Sequence, residues 1–568
     1  MAVIKEETRM GLSSFFTPKT RTKLEYALIT LIVLGVCLRV FTCFYMEPTA
    51  DGSVYSTMGN SFAHNGEFVL PYGETFMRTN YSASYSHHYP PLYPMYLAGF
   101  YYSFGFSVPV TQVAALLMSL LFVAVIYFAT KDLFGQKNAM FVTAIMSLEP
   151  TFIISTGTNY SENLVGLLFV LTMWAVIRAL KDPNYMIYAG LFAGLGYLSK
   201  STVDYFFIIA GICGLLWRFY YDRWAVFKNK GYIGGIILFG LLAGTWMLRN
   251  LTRFGWPNWQ TSDYAVFVIG YAGSHLDLLF IALVLKLLLF AAFFCAYAIF
   301  FQPELVRSVL KVKRPVESCL LMSIGLMFVL SWFMTSAFWT YEQSGIFWLD
   351  NYRYIAISFV PLLWLVVKHR DPTPQESDNS APSAGTPIQS RSGVRSRVKG
   401  TVVRVINFLG IERVPFKQRV AVLVAILVAF NILSMASWTS QIEVSAAEKV
   451  AKYAGSNDIV AVDEIEPYYV YPYIVGQNIT IEVYHEPSNA TYIISGNLSK
   501  VYQNYTRVCI YKSTSTVEGT SNISGNYTFP DSVLLNGDTP HVGLSKHSVA
   551  IWMFNSTLVP LTEAWHPT

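Results

Sequence analysis

Charged residues are scarce in this sequence of 568 residues, making up 13% of the chain against 53% for hydrophobic residues. Soluble domains carry about 25% charged residues, so the composition excludes an ordinary water-soluble protein. Apolar runs recur instead, and about 20 apolar residues suffice for one transmembrane helix. The formal net charge of +5 comes from basic residues in short loops between these runs. That distribution is the positive-inside pattern of membrane proteins, and it does not indicate nucleic-acid binding.

Cysteines are also few, and none of the six has a spacing that indicates a zinc site or a disulfide framework. No internal repeat is visible, which disfavours transporter folds built from two related halves. The first apolar run, 26–45, is too long for a signal peptide and lacks a cleavage site of small residues. We expect it to remain as a transmembrane helix. Basic residues precede it, so we also expect a cytoplasmic N-terminus.

The apolar segments predict an all-α polytopic membrane protein with about 11 transmembrane helices. The predicted spans are 24–45, 107–130, 138–156, 162–180, 184–199, 203–220, 231–248, 276–301, 318–338, 352–368 and 420–438. The predicted regions are a transmembrane module at 1–370, a cytoplasmic disordered linker with an amphipathic segment at 371–419, the last transmembrane helix at 420–438 and a C-terminal domain at 439–568.

The C-terminal domain is predicted to be small, and α/β or β-rich. Ser445 followed by Glu448 resembles a capping box, which predicts that a helix begins there. Gly455 predicts the end of that helix. The segments 459–462 and 479–484 have the composition of short strands.

Sequons for N-glycosylation support the predicted topology. They occur at Asn80, Asn159, Asn250, Asn478, Asn489, Asn497, Asn504, Asn522, Asn526 and Asn555. A single match to so short a motif is weak, but all ten fall on the predicted outer side. We therefore expect an extracytoplasmic, N-glycosylated C-terminal domain.

Ionisable residues at the outer ends of the predicted spans are the candidates for function, because charge in or beside a span is costly. These residues are Arg39, Asp51, Glu162, Lys200, Asp204, Arg249 and Arg353. Both signs of charge are present. A site that holds an anionic phosphate and activates a hydroxyl needs both.

Asp51 lies just beyond the first span, where its carboxylate could take a proton from an attacking hydroxyl as a general base. The alternative is a helix N-cap, since Asp is a favoured capping residue. The spacing alone does not separate the two. Glu162 begins the fourth span and is a second candidate, although an acid at a helix N-terminus also stabilises the helix dipole.

Arg249, Lys200 and Arg353 are candidate ligands of a phosphate. The planar fork of an arginine can bind two phosphate oxygens. The alternative is a side chain that anchors a helix at the membrane surface. Cations are rarer on the outer side, which favours the phosphate interpretation. His88, in a His-His-Tyr-Pro-Pro run, could hydrogen-bond a phosphate or a sugar, but an interfacial loop explains that run slightly better.

The order of these charged residues and motifs along the chain resembles that of the GT-C superfamily of glycosyltransferases. The likeness covers about 1–370 and is greatest to the family-39 group, the dolichyl-phosphate-mannose protein mannosyltransferases, and to related aminoarabinose transferases. The matching positions are Arg39, Asp51, Tyr55, the Pro90–Pro94 run, 245–255, and Arg353 with Tyr354 and Pro361. Gly52 is a departure, because the family often has a second carboxylate there. Asp51 would then act alone or with Glu162, or would not be the catalyst.

The resemblance implies transfer of a sugar from a polyprenyl (dolichyl) phosphate to an acceptor hydroxyl on the extracytoplasmic face, with inversion. Asp51 would be the base, and Arg249, Lys200 and Arg353 would bind the donor phosphate. Arg39, Tyr55, His88, Glu162 and Tyr354 would be secondary site residues. The carrier phosphate is a good leaving group, so no cofactor is required and metal dependence stays open.

Two alternatives remain open. One is a flippase or transporter of lipid-linked sugars, and the other is a transferase that uses a lipid-diphosphate oligosaccharide. The chain lacks the Trp-Trp-Asp-Tyr-Gly signature of oligosaccharyltransferases and the β-trefoil of eukaryotic mannosyltransferases. We expect protein, lipid or glycan acceptors, no nucleic-acid partner, and an archaeal plasma membrane rather than an endoplasmic reticulum.

Overall fold

The computed structural model describes residues 22–48, 50–70, 84–85, 89–200, 204–255, 356–370, 414–436 and 442–455, isolated positions between 300 and 323, and short segments between 458 and 554. Five described helices are long and apolar enough to cross a membrane, and a bent helix pair raises this number to six if it forms one span. The prediction of a helical membrane protein with a small C-terminal sheet is confirmed.

The described helices follow the predicted spans closely. They are α1 (Lys23–Tyr45), α2 (Ala50–Asn65), α3 (Leu92–Phe104), α4 (Val108–Phe134), α5 (Gln136–Ser147), α6 (Pro150–Gly157), α7 (Glu162–Ala179), α8 (Tyr185–Tyr197), α9 (Asp204–Asp222), α10 (Lys230–Phe254), α11 (Phe359–Arg370), α12 (Phe416–Ala436) and α13 (Ile442–Tyr453). The predicted spans 276–301 and 318–338 lie almost entirely outside the described residues. The total of eleven spans and the domain boundaries therefore stay predictions.

Local sequence explains where the membrane helices begin and end. Thr22 and Glu25 form a reciprocal capping box at the start of α1, with the Thr22 N–H donating to Glu25 Oε2 over 2.8 Å. Ser107 caps α4, and a proline follows in its first turn. Gly135 ends α4 at a φ of 84°, which is favourable only for glycine.

The third predicted span, 138–156, is not one continuous helix. It consists of α5 and α6, which meet at an angle of 56°. Pro150 begins α6, and Glu149 caps it by accepting a hydrogen bond from the Phe152 N–H over 3.2 Å. A proline cannot continue the hydrogen bonds of the preceding helix. The sequence signal for the break was therefore present in Glu149-Pro150, and the hydropathy average concealed it.

Polar side chains from two other helices satisfy the carbonyl groups that the break exposes. Arg39 of α1 donates to the Ser147 carbonyl, and Asn431 of α12 donates to the Leu148 carbonyl over 2.9 Å. Gly35 lets α1 approach this point, because a Cβ there would overlap the Ser147 carbonyl. An unsatisfied carbonyl is costly in a membrane interior, so the break depends on these two donors.

The segment between α1 and α4 contains helix α2, which is buried on all sides over 52–59, the apolar helix α3 and a short antiparallel hairpin of β1 (Val69–Leu70) and β2 (Ser84–Tyr85). Helices α2 and α3 pack against each other. At Gly59 of α2, any added side chain would press on α3. This predicted outer loop is thus a packed structure on the end of the bundle.

The C-terminal segment forms a six-stranded sheet of β3 (Ile459–Asp463), β4 (Thr480–Val483), β5 (Tyr492–Ser495), β6 (Tyr505–Lys512), β7 (Val517–Glu518) and β8 (Ser548–Phe554), in the order β4-β3-β5-β8-β6-β7. Strand β3 is parallel to both neighbours, and the other pairs are antiparallel. The predicted strands at 459–462 and 479–484 correspond to β3 and β4. Helix α13 packs on β5, β6 and β8.

The predicted start of α13 at Ser445 is wrong. The helix begins at Ile442, so Ser445 lies inside it. Val444 is completely buried, and its packing extends the helix by a turn, because tertiary contacts outweigh a local capping preference. The helix ends at Tyr453, and Gly455 follows it as predicted.

Candidate active site

Asp51 lies in the first turn of α2, at the point where the chain leaves α1. Its Oδ1 accepts a hydrogen bond from the Tyr89 hydroxyl over 3.1 Å. Its Oδ2 lies 3.7 Å from the ammonium of Lys200. Both partners come from distant parts of the sequence. The carboxylate therefore has tertiary contacts that an isolated helix cap would not require.

Glu162 and Lys200 form a buried ion pair beside Asp51. Glu162 is in the first turn of α7, and Lys200 follows the end of α8. The Lys200 ammonium donates to Glu162 Oε1 over 2.6 Å. Desolvating charges is costly unless the pair is close and well hydrogen-bonded, and this short contact meets that requirement. We name Asp51, Lys200 and Glu162 the charged triad.

The exposure of the triad differs between its members. The side chain of Asp51 is 18% exposed, whereas those of Lys200 and Glu162 are 5% and 2% exposed. A substrate that approaches this site therefore meets Asp51 before the other two. Lys200 contacts both acids and offsets the charge of each.

Close packing explains why a glycine follows Asp51, at the position where the resembling family often has a second carboxylate. A Cβ at position 52 would overlap the carbonyl oxygen of Thr158. Helix α2 thus packs backbone to backbone against the segment that joins α6 and α7. No side chain fits at position 52, and Glu162 at the end of that same segment supplies the second acid.

A cluster of tyrosines encloses the triad on one side. The ring of Tyr55 makes edge contacts with Tyr89 and Tyr93, with centroids 5.2 and 5.3 Å away. Burial raises the pKa of Tyr93 well above its usual value. Its hydroxyl therefore stays protonated and donates to Asn159 Oδ1 over 2.7 Å. The Tyr55 hydroxyl accepts from Ser161 over 3.2 Å.

Asn159 connects this cluster to α2, and the sequence analysis did not identify it as a site residue. It has a φ of 58°, a conformation that Asn tolerates better than most residues. Its amide donates to the Gly52 carbonyl and to Ser56 Oγ, each over 2.9 Å. The only signal in the sequence was the sequon, which suggests a different role.

Two of the ten sequon asparagines are buried in the folded bundle. Asn159 and Asn250 are both completely inaccessible. Asn250 accepts a hydrogen bond from Arg249 over 2.7 Å. A glycan cannot be attached to a buried amide, so these two sequons have structural roles and do not support the topology. Expectations about glycans at the other eight positions stay predictions.

Arg39 does not reach the triad. It is completely buried between α1, α4 and α5, and its guanidinium donates to Ser119 Oγ over 2.8 Å and to two backbone carbonyls. The predicted secondary role of Arg39 in direct substrate contact is therefore not supported by its position. Tyr55 and Glu162, the other secondary candidates in the described residues, do lie at the site.

Arg249 lies near the outer end of α10. Its guanidinium stacks on the ring of Trp246, 4.4 Å from the centroid, and is 5.3 Å from that of Phe254. These contacts fit the anchor interpretation and leave the phosphate role a prediction. His88, Arg353 and Tyr354 lie outside the described residues. Asp204 begins α9.

Tyr89 is the second site residue that the sequence analysis missed. The sequence contains a signal for Tyr89, because this residue lies between His88 and Pro90-Pro91 in the run from which His88 was predicted as a site residue. Pro91 begins α3 as its N-cap, and a fixed proline backbone positions the residue before it. Tyr89 is buried and holds one oxygen of Asp51.

Comparisons with known proteins agree with this architecture. Residues 88–247 match the model of a family described as dolichyl-phosphate-mannose-protein mannosyltransferase. The structure is similar to ArnT from Cupriavidus metallidurans in the apo state, with a TM-score of 0.52, 13% identity, and coverage of 81% of this chain and 86% of that one. No curated protein sequence matches the chain.

Two further structures show weaker similarity. ArnT from Cupriavidus metallidurans bound to undecaprenyl phosphate has a TM-score of 0.49 and 12% identity, with coverage of 82% of this chain and 92% of that chain. AglB from Archaeoglobus fulgidus, an archaeal oligosaccharyltransferase in complex with an inhibitory peptide and a dolichol-phosphate, has a TM-score of 0.45 and 12% identity, with coverage of 88% and 74%.

The family match and the fold agree with the resemblance to the GT-C class of membrane glycosyltransferases. Within that class, the chain is similar to the family-39 mannosyltransferases in sequence and to ArnT in fold. The resemblance inferred from the sequence is thus confirmed.

Proposed function

We propose that this protein transfers a single sugar from a polyprenyl phosphate carrier to an acceptor hydroxyl at the extracytoplasmic end of its helical bundle. The observation that carries the proposal is the charged triad, in which one partly exposed carboxylate is held by Tyr89 and backed by a buried Lys200–Glu162 pair. The description of the matching family supports dolichyl phosphate mannose as the first donor to test and a protein as the first acceptor.

The triad suits a single inverting displacement. Asp51 accepts the proton of the acceptor hydroxyl as a general base. The acceptor oxygen then bonds to the anomeric carbon, the bond from that carbon to the phosphate oxygen breaks, and the lipid phosphate leaves with the electron pair. Tyr89 and Lys200 hold the two oxygens of Asp51, so the acid is oriented before the substrate binds, which lowers the cost of reaching the reactive geometry.

The departing phosphate needs cations that face it. Arg249 and Arg353 are the proposed ligands, since an arginine binds two phosphate oxygens at once. A charge-stabilising group of this kind lowers a barrier by about 2.7–4 kcal/mol. Lys200 is held by Glu162 at 2.6 Å, so its first role in this proposal is to orient Asp51. Its distance to Asp51, 3.7 Å, is longer than that to Glu162, and Lys200 stays a third proposed ligand of the phosphate.

Asp51→Asn tests the proposal directly. Purified protein in lipid nanodiscs is given dolichyl phosphate mannose and an acceptor, and released dolichyl phosphate is measured. We expect the variant to lose at least ~100-fold in turnover, the lower end for a positioned base. Glu67→Gln is the matched control, because Glu67 is an exposed acid near the end of the same outer helix.

Normal turnover by Asp51→Asn would disprove the mechanism. A wild-type protein that moves the intact donor across the bilayer without releasing dolichyl phosphate would instead identify a flippase. Release of a lipid diphosphate from a lipid-linked oligosaccharide would identify the other type of transferase.

A further inference from the structure

Behind the charged triad lies a continuous path of buried polar side chains that the proposed reaction does not use. It runs from Arg39 in α1 through Ser119 in α4 to Asn163 in α7, the residue next to Glu162. All three are buried, with 0%, 0% and 2% exposure. We propose that Arg39 is a positioning residue, which acts through Ser119 and Asn163 to fix the first turn of α7 and hence the Glu162–Lys200 pair.

The distances support a connected relay. Arg39 Nε donates to Ser119 Oγ over 2.8 Å, and Ser119 Oγ donates to Asn163 Oδ1 over 3.1 Å. The amide nitrogen of Asn163 donates to the Phe152 carbonyl in α6 over 3.1 Å. Four helices thus meet at one chain of hydrogen bonds, and the last member adjoins the acid of the triad.

The direction of the relay follows from what each group can donate. An arginine has only donors, so the Ser119 oxygen must accept from Nε. The single hydrogen of Ser119 is then free to point at the Asn163 oxygen, which fixes the orientation of the amide. Its nitrogen faces the Phe152 carbonyl and Thr156 Oγ1. Thr156 Oγ1 also donates to Ser119 Oγ, over 2.9 Å, so Arg39 acts together with Thr156 on the orientation of Asn163.

The same arginine fixes the neighbouring break between α5 and α6. It donates to the Ser147 carbonyl and to Gly35 in its own helix, and Glu149 supplies the opposing charge nearby. Helix α6 runs from this break to Thr158, the residue that packs against Gly52. Arg39 consequently supports the site along two paths, through Ser119 to Glu162 and through α6 to the base of α2.

A charge buried among membrane helices is costly and is functional by default. The alternative is that Arg39 only stabilises the packing of the helices. The two alternatives differ at Ser119. Removing its hydroxyl leaves the bonds from Arg39 to the backbone intact but separates Arg39 from Asn163. If Ser119→Ala only destabilises the protein, hydrogen exchange should rise along the whole of α7. If it breaks the relay, exchange should rise in the first turn of α7 and not in the rest of that helix.

The test compares Ser119→Ala, Ser119→Thr and Thr172→Val in the full-length chain. Thr172 is the matched control, because it is also completely buried. It lies on α7, the helix of Asn163, where its hydroxyl donates to the Leu168 carbonyl. Hydrogen–deuterium exchange of peptides covering 158–166 and 196–200 reports the two ends of the Glu162–Lys200 pair without any substrate. We expect faster exchange in both peptides for Ser119→Ala, and wild-type exchange for Ser119→Thr and Thr172→Val.

The activity measurement rests on the proposed function. Ser119→Ala should lower kcat about fivefold to tenfold, the equivalent of one lost hydrogen bond, with donor KM unchanged, and Ser119→Thr should restore kcat. If the wild type has no transferase activity, the proposed function fails, and faster exchange in Ser119→Ala alone still supports the relay. Wild-type exchange in Ser119→Ala, or an equal effect of Thr172→Val, would overturn the relay.

Discussion

Lys200 and Arg249 both lie at predicted outer ends of helices, and the structure surrounds them differently. Lys200 is 4% exposed and is held by acids from two other elements, Asp51 and Glu162. Arg249 is partly buried against the rings of Trp246 and Phe254, which belong to its own helix, and against the amide of its neighbour Asn250. Among the described contacts, those of Lys200 are with distant segments and those of Arg249 are with its own helix.

The difference between these two cations shows that the position of a charge relative to a predicted span does not determine its contacts. Both cations are on the predicted outer side, where cations are rarer, so the sequence predicts the same role for them. The described partners of Arg249 are within five residues and can be recognised from helical spacing. Glu162 is 38 residues from Lys200, and no periodicity connects them. Three substitutions test whether the two environments also differ in function.

Lys200→Met has the largest expected effect, because it removes the cation of the buried pair with Glu162 and of the contact with Asp51. Removing one member of a buried ion pair costs about 3–5 kcal/mol. We expect a clearly lower Tm in detergent and loss of transferase turnover. Lys137→Met, which changes an exposed lysine at the start of α5, should leave both unchanged.

The double variant Lys200→Met with Glu162→Gln sharpens this test. It removes the unpaired charge, so it should recover part of the lost Tm without recovering turnover. If Lys200→Met alone unfolds at the wild-type temperature, the ion pair does not stabilise the bundle and the contrast with Arg249 disappears.

Gly52→Ala should have an intermediate effect. A Cβ at this position overlaps the Thr158 carbonyl, and overpacking of this kind costs about 1–3 kcal/mol. Because the shift occurs next to Asp51, turnover should fall along with the Tm. Gly99→Ala in α3 is the control, since a Cβ there meets no neighbour. Equal Tm values for the two variants would show that α2 does not pack closely on this segment.

Arg249→Lys should have the smallest effect of the three. Lysine keeps the charge but loses the two-pronged geometry, so donor KM should rise about tenfold, or ~1.4 kcal/mol, with little change in Tm. Arg253→Lys, one turn further along α10, is the control. A donor KM equal to that of the wild type would leave Arg249 as a membrane anchor and remove it from the proposed phosphate site.

Much of the bundle was predictable because long apolar runs and their caps are local signals. Helices α1, α4 and α10 lie within a few residues of the predicted spans. The failures have tertiary causes. Val444 extends α13 beyond its predicted cap. The break at Pro150 had a local signal in Glu149-Pro150, but the donors from α1 and α12 that satisfy its carbonyls could not be predicted.

Within the site, residue types were predictable, whereas their pairing was not. Asp51, Glu162 and Lys200 stood out because charges near a membrane are rare. The Gly52 contact, the Asn159 conformation and the Tyr89 hydrogen bond depend on how segments far apart in the sequence pack together, and no local rule provides them.

The hydrogen bond from Asn431 to Leu148 has a practical consequence for anyone who dissects this protein. Helix α12 follows a long linker and precedes the C-terminal sheet, so it resembles a simple tether for the tail. Its asparagine nevertheless satisfies a carbonyl at the break between α5 and α6, and α6 runs from that break to the segment beside the charged triad. A fragment that stops at residue 370 would lose that donor, and chimeras intended to exchange the tail should therefore retain α12 with its own bundle.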